Sequence, residues 1–480
     1  MDKIHTNNFF VFPRGFLPLT LTLTLSMAGF ALIQGLLIIY CSEIFNLTDQ
    51  QAYLTNVSLM TVIFTLPVIG GFLTEKFLGY FFAITISLCL TIGGLFTLCF
   101  ETLVHFYLGL ALFSIGNSIT VTCLYVILGR ILQHAKHKRV AGFTITYTCM
   151  NAGALTVTLG SGWIIRNWGY QSAFLCSTIL FLAATFTFLL NLRAITPTRL
   201  QLTQHYTPLQ RAVGLVIIFF MIPAIMLLLH HPQFSWLLLT IVCTMATFVF
   251  AWLYYISNLK QRKQLRLFLT IVLFGIFFWV LYALEPATLT SFIERNVRHV
   301  IGSFSIPLSD FSSINMLFVV FLGCLFSCIW IHLSKRHHLP ALPYQFALGI
   351  GCIGAAYLLL SASTYFSNQN GLISIAWVII SSIMFSAAEL FISPVGIAMV
   401  GTLTPPKYEG SMMGIWLLSN GFGSTLAGVF VSLIMLPTQT TSPLLTNDLY
   451  SYRFCEFGLI ALFLATILAL LTPHLLKKMN

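Results

Sequence analysis

One stretch decides the fold of this chain: Ala388-Glu389-Leu390-Phe391-Ile392-Ser393-Pro394-Val395-Gly396. It lies inside residues 372–403, a run that has no other charged side chain and is long enough to cross a membrane as a helix. A charged side chain near the bilayer centre costs roughly 2.5–3.5 kcal/mol on insertion scales, so such a residue usually faces a watery cavity or a partner. Glu389 is therefore the first candidate functional residue.

The composition extends this interpretation to the whole chain. Of its 480 residues, 58% are hydrophobic and only 7% are charged, with a net charge of +11. Soluble domains carry about 25% charged residues. These values indicate an all-α polytopic membrane protein. Because the basic residues lie in short loops, we expect them to report membrane orientation and expect no nucleic-acid partner.

Apolar runs of roughly 20 residues predict fourteen transmembrane helices. They fall at about 15–41, 52–74, 78–100, 104–132, 141–166, 170–193, 212–230, 234–256, 266–293, 311–333, 343–366, 371–402, 411–437 and 454–475. If the N-terminus is cytoplasmic, only Arg166, Arg295, Arg298 and Arg453 of the 23 basic residues lie outside. The positive-inside rule then predicts that both termini are cytoplasmic.

The helix count predicts an internal organisation. A polar segment at 192–211 and a second one at 257–264 flank a helical pair, and six helices remain on each side of that pair. Two six-helix bundles are the layout of major-facilitator transporters, whose substrate site lies between the halves at the midplane. We therefore expect an N-terminal bundle at 1–193, a linker with an accessory transmembrane hairpin at 194–265, and a C-terminal bundle at 266–480.

Several motifs make this expectation more specific. In chain order they are Leu66–Leu73 followed by Glu75-Lys76, Gly142–Tyr147 followed by Asn151-Ala152-Gly153-Ala154, Phe278–Leu281, Ser313-Ile314-Asn315, the Glu389 stretch and Met412–Trp416. Together they resemble the proton-dependent oligopeptide transporters, in register from about residue 35 to 435. The accessory hairpin is also similar to two additional helices in many bacterial members.

The resemblance implies a substrate site for di- and tripeptides. Its expected members are Glu389, Asn151, Asn315, Trp279, Trp416 and Gln34. A peptide is a zwitterion, so Glu389 can pair with its ammonium group. The two asparagines can hydrogen-bond the peptide amide, and the two tryptophans can wall side-chain pockets. Buried asparagines that only join helices, and tryptophans that only pack or anchor, are the alternatives.

The N-terminal half departs from the family pattern. The family's acidic and basic first-helix cluster falls on Leu23–Met27, its fourth-helix lysine on Val121 and its first-helix arginine on Gln34. Its seventh-helix glutamate falls on Ala283, although Glu285 follows two residues later and should face another side of a regular helix. We expect proton coupling to use Glu389, with Glu285 as a second candidate, and to be weakened or rearranged.

The loop at 71–79, here called the gate loop, resembles the facilitator gate that fastens the two halves on the cytoplasmic side. It keeps the acid Glu75 and the base Lys76, but Tyr80-Phe81 replaces the basic pair expected next. We expect a weaker latch. Arg130, near the end of its helix, is expected to anchor that helix at the membrane surface.

The resulting hypothesis is a secondary transporter that moves di- or tripeptides, or peptide-like solutes, across the inner membrane by alternating access. The alternatives are a facilitator or exporter of a non-peptide solute and a non-transporting sensor. We expect no enzyme activity, metal or cofactor, since no nucleotide-binding loop or metal-ligand spacing is present. The expected partners are the peptide, protons and the lipid bilayer, and the chain is expected to be a monomer.

Overall fold

The structure is a computed structural model that describes residues 12–195, 206–298, 300–301, 304–305, 311–336, 338–434 and 442–477. Within this part of the chain most residues lie in one of thirteen α-helices. They are α1 Phe16–Phe45, α2 Asp49–Leu73, α3 Tyr80–Thr97, α4 Leu103–Leu132, α5 Arg139–Leu190, α6 Pro208–His230, α7 Ser235–Ile256, α8 Leu259–Asn296, α9 Phe311–Lys335, α10 Leu342–Ser363, α11 Ile375–Leu403, α12 Glu409–Ile434 and α13 Pro443–Lys477.

Twelve of the helices in the described residues are long and apolar enough to cross a membrane. The 52-residue helix α5 is interrupted at Gly169, whose φ of 76° is outside the helical range, so it divides into two membrane-length helices. Counting the two parts of α5 separately gives thirteen such helices in the described residues, close to the fourteen predicted spans. The two halves of α5 correspond to the predicted helices at 141–166 and 170–193.

Helix starts follow local capping rules. The side chains of Thr48 and Thr207 each accept a hydrogen bond from the backbone N–H three residues later. In return, the side-chain oxygens of Gln51 and Gln210 accept from the backbone N–H of the two threonines. Asn258 and Gln261 make the same reciprocal pair. Each pair satisfies donors that the first turn of a helix leaves free. The cap at Asn258 starts α8 at Leu259, earlier than the predicted residue 266.

The described structure divides into two compact units. Each unit combines residues from both of the predicted bundles or from the predicted linker and one bundle. The first comprises Met1–Gln261, Ser327–His338 and Ile397–Leu418, and the second comprises Arg262–Phe326, Leu339–Gly396 and Ser419–Asn480. The predicted domain boundaries remain a prediction, and residues 196–205 of the predicted linker lie outside the described residues.

Small residues set the helix spacing in the first unit. A Cβ on Gly94 would lie 2.6 Å from the carbonyl oxygen of Gly109, so α3 and α4 touch backbone to backbone. Such close approach is typical of helix pairs in membranes. The accessory hairpin, α6 and α7, also packs in this unit, where the hydroxyls of Ser58 and Ser235 are 2.7 Å apart.

The second unit is built on the α10–α13 pair. A Cβ on Gly354 would lie 3.0 Å from the carbonyl oxygen of Gly458, and the Ser361 hydroxyl donates to the carbonyl of Ser451 at 2.8 Å. The first turns of α13 lie outside the predicted span at 454–475, because polar residues there end the apolar run. These turns are stabilised by Asn296 at the end of α8, whose side-chain amide donates to the side chains of Thr446 and Asn447 at 2.8 Å each.

Short strands are the other unpredicted feature. Val297–Arg298 pairs in parallel with Ile373–Ser374, and Val300–Ile301 pairs antiparallel with Phe304–Ser305. They lie next to helix ends, where backbone groups have no partner within the helix. They are two residues long and leave the all-α class unchanged.

Candidate functional site

Glu389 lies on α11 and is only 7% exposed. The hydroxyl of Tyr282, from α8, donates a 2.5 Å hydrogen bond to its Oε2. A hydrogen bond to a carboxylate is shorter and stronger than one between neutral groups. The second unit therefore holds this buried acid in one orientation.

A chain of hydrogen bonds continues from Tyr282. The side-chain amide of Asn315, from α9, donates to the Tyr282 hydroxyl at 2.6 Å. The side-chain oxygen of Asn315 accepts from the hydroxyl of Ser386, which lies three residues before Glu389 on α11. Three helices are thus joined through one polar network, and Asn315 serves both as donor and acceptor within it.

Tyr282 is a site residue that the sequence analysis missed. It lies three residues after Trp279, and residues at this spacing share one helix face. Its ring stacks on Phe278 with centroids 5.6 Å apart and meets Trp279 edge-on at 5.7 Å. The spacing from Trp279 was the available signal, but a tyrosine in an apolar helix is too common to single out.

Trp279 is buried, and its indole N–H has no hydrogen-bond partner among the described residues. Its Cβ lies so close to Gly423 of α12 that a Cβ there would be 2.6 Å away. A buried indole N–H normally has a partner. Trp279 therefore combines an aromatic wall with a donor that the described protein leaves free.

Glu285 lies one turn beyond Tyr282 on α8, which is helical through Pro286 without unwinding. It is close enough to Glu389 to interact with its charge. The two acidic candidates therefore lie within range of each other's charge, although two residues of rotation on a regular helix predict that Glu285 faces another side. The direction in which Glu285 faces relative to a substrate cavity stays a prediction.

The remaining substrate candidates, Asn151, Gln34 and Trp416, belong to the first unit. Asn151 donates to the carbonyl of Tyr147 at 3.0 Å within its own helix. Gln34 is exposed in the middle of α1, and Trp416 is 3% exposed. No group of three or more potential metal ligands occurs among the described residues.

The segment named the gate loop is helical through Leu78, as a continuation of α2, and only Gly79 leaves the helix. It forms a second polar cluster within the first unit. The carboxylate of Glu75 accepts from the backbone N–H of Gly410 at 2.5 Å and from that of Ser411 at 3.1 Å. It also accepts from the hydroxyls of Ser411 and Tyr80 at 2.5 and 3.1 Å. Glu75 therefore caps the N-terminus of α12, where free N–H groups and the helix dipole favour an anion.

The expectation that Arg130 anchors its helix at the membrane surface is wrong. Arg130 is not a solvent-facing surface anchor: its side chain is 11% exposed and pairs with Glu409 at 2.6 Å, and it donates to the carbonyl of Pro406 at 2.6 Å. Glu409 was not among the predicted residues, because an acid beside a loop is usually solvated. A buried pair such as this one is costly to break from one side only.

A second arginine, Arg139, is 5% exposed and was not singled out. It donates to the carbonyls of Ala398 and Gly129 at 2.9 and 2.8 Å. Lys76, the predicted base of the gate, lies over the rings of Trp252 and Tyr408 with Nζ 5.4 and 5.5 Å from their centroids. The cluster thus uses helix capping, ion pairing and cation–π contacts, where the sequence suggested only a short run of charges.

Comparison with known proteins places this architecture in a family. The POT family profile matches residues 35–446. A dipeptide and tripeptide permease A of Chromobacterium violaceum is 26% identical over 93% of this chain and 90% of its own length. A second, from Erwinia pyrifoliae, is 26% identical over 94% and 92%.

Solved structures show the same fold. A peptide transporter POT in complex with sulfate superposes with a TM-score of 0.70 at 20% identity, covering 98% of this chain and 96% of its own. Tetrameric PepTSo2 superposes with a TM-score of 0.69 at 19% identity, covering 97% and 99%. The fold is therefore the predicted major-facilitator fold. Since the family profile matches most of its length, this membrane-spanning chain belongs to the POT family, the proton-dependent oligopeptide transporters, and not to an enzyme family.

Proposed function

We propose that this protein carries di- and tripeptides across the inner membrane by alternating access, with Glu389 as the central binding residue. The observation that carries the proposal is the buried carboxylate of Glu389, fixed by Tyr282 and the Asn315 network. The names of the relatives, permeases for dipeptides and tripeptides in bacteria, support the same substrate class.

The peptide's ammonium group is assigned to Glu389. The ammonium group offsets the desolvation of the carboxylate, and the carboxylate offsets that of the ammonium group. Asn315 and Asn151 are assigned to the peptide amide. Trp279 and Trp416 are assigned to side-chain pockets. The indole N–H of Trp279, which has no hydrogen-bond partner in the part of the chain that the structure describes, supplies one further donor to substrate.

The peptide's carboxylate has a weaker partner. In the family pattern an arginine of the first helix stands where this chain has Gln34, and no Lys, Arg or His lies near the middle of an N-terminal span. An amide donates a hydrogen bond but adds no charge. We therefore propose that Gln34 binds the carboxyl end and that peptide-like solutes with a neutral end are tolerated.

Proton coupling is assigned to the pair Glu389 and Glu285. Neighbouring carboxylates resist simultaneous ionisation, so such a pair can hold one proton between them. If Glu389 must release its proton to bind the ammonium group, proton and peptide compete for it. This competition favours exchange of peptides over strong symport.

The proposed topology has both termini in the cytoplasm and the gate cluster of Glu75 and Lys76 on that side. The domain layout is an N-terminal bundle at 1–193, a linker with the accessory hairpin at 194–265, and a C-terminal bundle at 266–480. We propose a monomer as the transporting unit, since one chain contains all the residues assigned to the site.

The test is counterflow in proteoliposomes loaded with unlabelled dialanine, with labelled dialanine, a tripeptide, an amidated dipeptide and a non-peptide solute outside. We expect exchange of the peptides and of the amidated form. E389Q should reduce exchange about tenfold or more, because an interaction between charged groups is lost.

The matched control is E456Q, the same change at a half-exposed acid paired with Arg453 on α13. It should exchange as the unchanged protein does. Exchange of the non-peptide solute alone would support the facilitator or exporter alternative. Absence of exchange of every solute, in sealed vesicles that contain the protein, would support a sensor.

A further inference from the structure

The accessory hairpin, α6 and α7, meets the gate loop at several points within the first unit. Tyr206, two residues before α6, donates its hydroxyl to the backbone carbonyl of Glu75 at 3.0 Å. Burial, with the nearby charge of Glu75, raises the pKa of Tyr206 to about 12, so this donor keeps its proton at neutral pH. Its ring lies against Gly79, where a Cβ would be 2.9 Å away.

The first helix of the hairpin adds close packing. A Cβ on Gly214 would lie 2.7 Å from the side chain of Leu78 and 3.0 Å from that of Phe77. The guanidinium of Arg211 lies 5.1 Å from the ring centroid of Phe82, just after the gate loop. Any outward movement of the loop on this side must therefore separate it from α6.

The second helix provides an aromatic contact to the charged tip of the loop. Lys76 lies over the rings of both Trp252, on α7, and Tyr408, the residue before α12. These two rings also meet edge-on at 5.5 Å. One ammonium group thus joins the gate loop, the hairpin and the segment that leads into α12.

We propose that the accessory hairpin is a working part of the gate and that Trp252 is the positioning residue that holds Lys76, and with it the gate loop, against Tyr408. This inference deepens the proposed function and rests on it for its role in transport. A cation between two aromatic faces is stabilised by both, and more so where water is partly excluded. Removing one ring should shift the gate loop toward displaced arrangements.

A different role for Trp252 would be that of a membrane-interface anchor, as is common for tryptophan at helix ends. In that case Trp252 would affect insertion or overall stability and not the gate loop in particular. A readout local to the loop separates the two roles.

Cys123 provides this readout. It is fully buried on α4, and its Sγ lies 3.4 Å from the Thr74 hydroxyl of the gate loop. Because Thr74 lies against this thiol, we expect its alkylation by N-ethylmaleimide, measured by peptide mass spectrometry, to become faster when the gate loop is displaced. Cys41, equally buried on α1, serves as an internal reference.

The variants are W252L, W252F and the control F248L, which removes an exposed ring from the same helix. We expect W252L to speed Cys123 alkylation about two- to tenfold, with Cys41 unchanged, and W252F to restore most of the protection. F248L should match the unchanged protein. In a K76M background the effect of W252L should largely vanish.

An unchanged rate in W252L, or an equal rise at Cys41 and Cys123, would overturn the inference. The first result would mean that Trp252 does not hold the loop, and the second that it stabilises the whole fold. Because alkylation is measured without peptide, its outcome is independent of whether dialanine is exchanged.

Discussion

At the scale of single residues, peptide binding depends in this proposal on how a buried carboxylate is kept in place. Glu389 receives a hydrogen bond from the hydroxyl of Tyr282, which in turn accepts from Asn315. The hydroxyl is therefore the link between the acid and the polar network of α9. A variant that removes only this oxygen tests the link.

Y282F keeps the ring stacked on Phe278 and deletes the hydroxyl. We expect the rate of peptide counterflow to fall about tenfold, since hydrogen bonds to charged groups contribute about 1.5–3 kcal/mol. The control is Y365F, at a tyrosine that is 83% exposed. Counterflow in Y282F equal to that in Y365F would show that the hydroxyl does not position Glu389.

Sequence alone identified Glu389 because it is the one charge in a long apolar run, where its cost is visible without coordinates. Tyr282 could not be identified in this way, because a tyrosine ring is common in apolar helices and adds no charge. Glu409 could not be identified either, since pairing with the distant Arg130 on another helix leaves no local pattern.

At the scale of elements, the gate depends on how closely α2 and α12 approach. A Cβ on Gly414 would lie 2.5 Å from the carbonyl oxygen of Pro67, and one on Gly71 would overlap the carbonyl oxygen of Gly410. This contact places Gly410 and Ser411 within reach of the Glu75 carboxylate. Two glycines thus position an acid to cap a helix.

The pair G414A and G428A tests this contact. Alanine in a helix is favoured over glycine by about 1 kcal/mol, and a Cβ on Gly428 meets nothing within 4 Å. G428A should therefore raise the thermal midpoint of the purified protein slightly, whereas G414A should lower it and slow counterflow. A rise in both midpoints would mean that the close approach is not required.

The number of helices could be predicted because each needs its own apolar run, but their ends could not. Caps such as Asn258 with Gln261 start a helix in polar sequence, outside the region that hydropathy detects. The gate contacts were hidden for another reason. Tyr80 donates to Glu75 and Lys76 lies over two rings, so the latch uses neutral and aromatic groups that a count of charges overlooks.

At the scale of the whole molecule, the central claim concerns energy. The family is proton-dependent, yet this chain has no ionisable residue in Leu23–Met27, where the family's first-helix cluster falls. Glu389 and Glu285 then remain as the assigned acids, and proton and peptide compete for the former. Coupling needs a group that binds its proton differently in two states, and one shared carboxylate performs this poorly.

The most direct measurement is uptake of labelled dialanine into proteoliposomes with and without an inward gradient of one pH unit. One-to-one symport would drive about tenfold accumulation under this gradient, because one pH unit corresponds to about 1.4 kcal/mol. We predict that counterflow proceeds without the gradient and that the gradient adds little accumulation. E389Q should impair both counterflow and gradient-driven uptake. Accumulation close to the tenfold limit that survives E389Q would contradict the account.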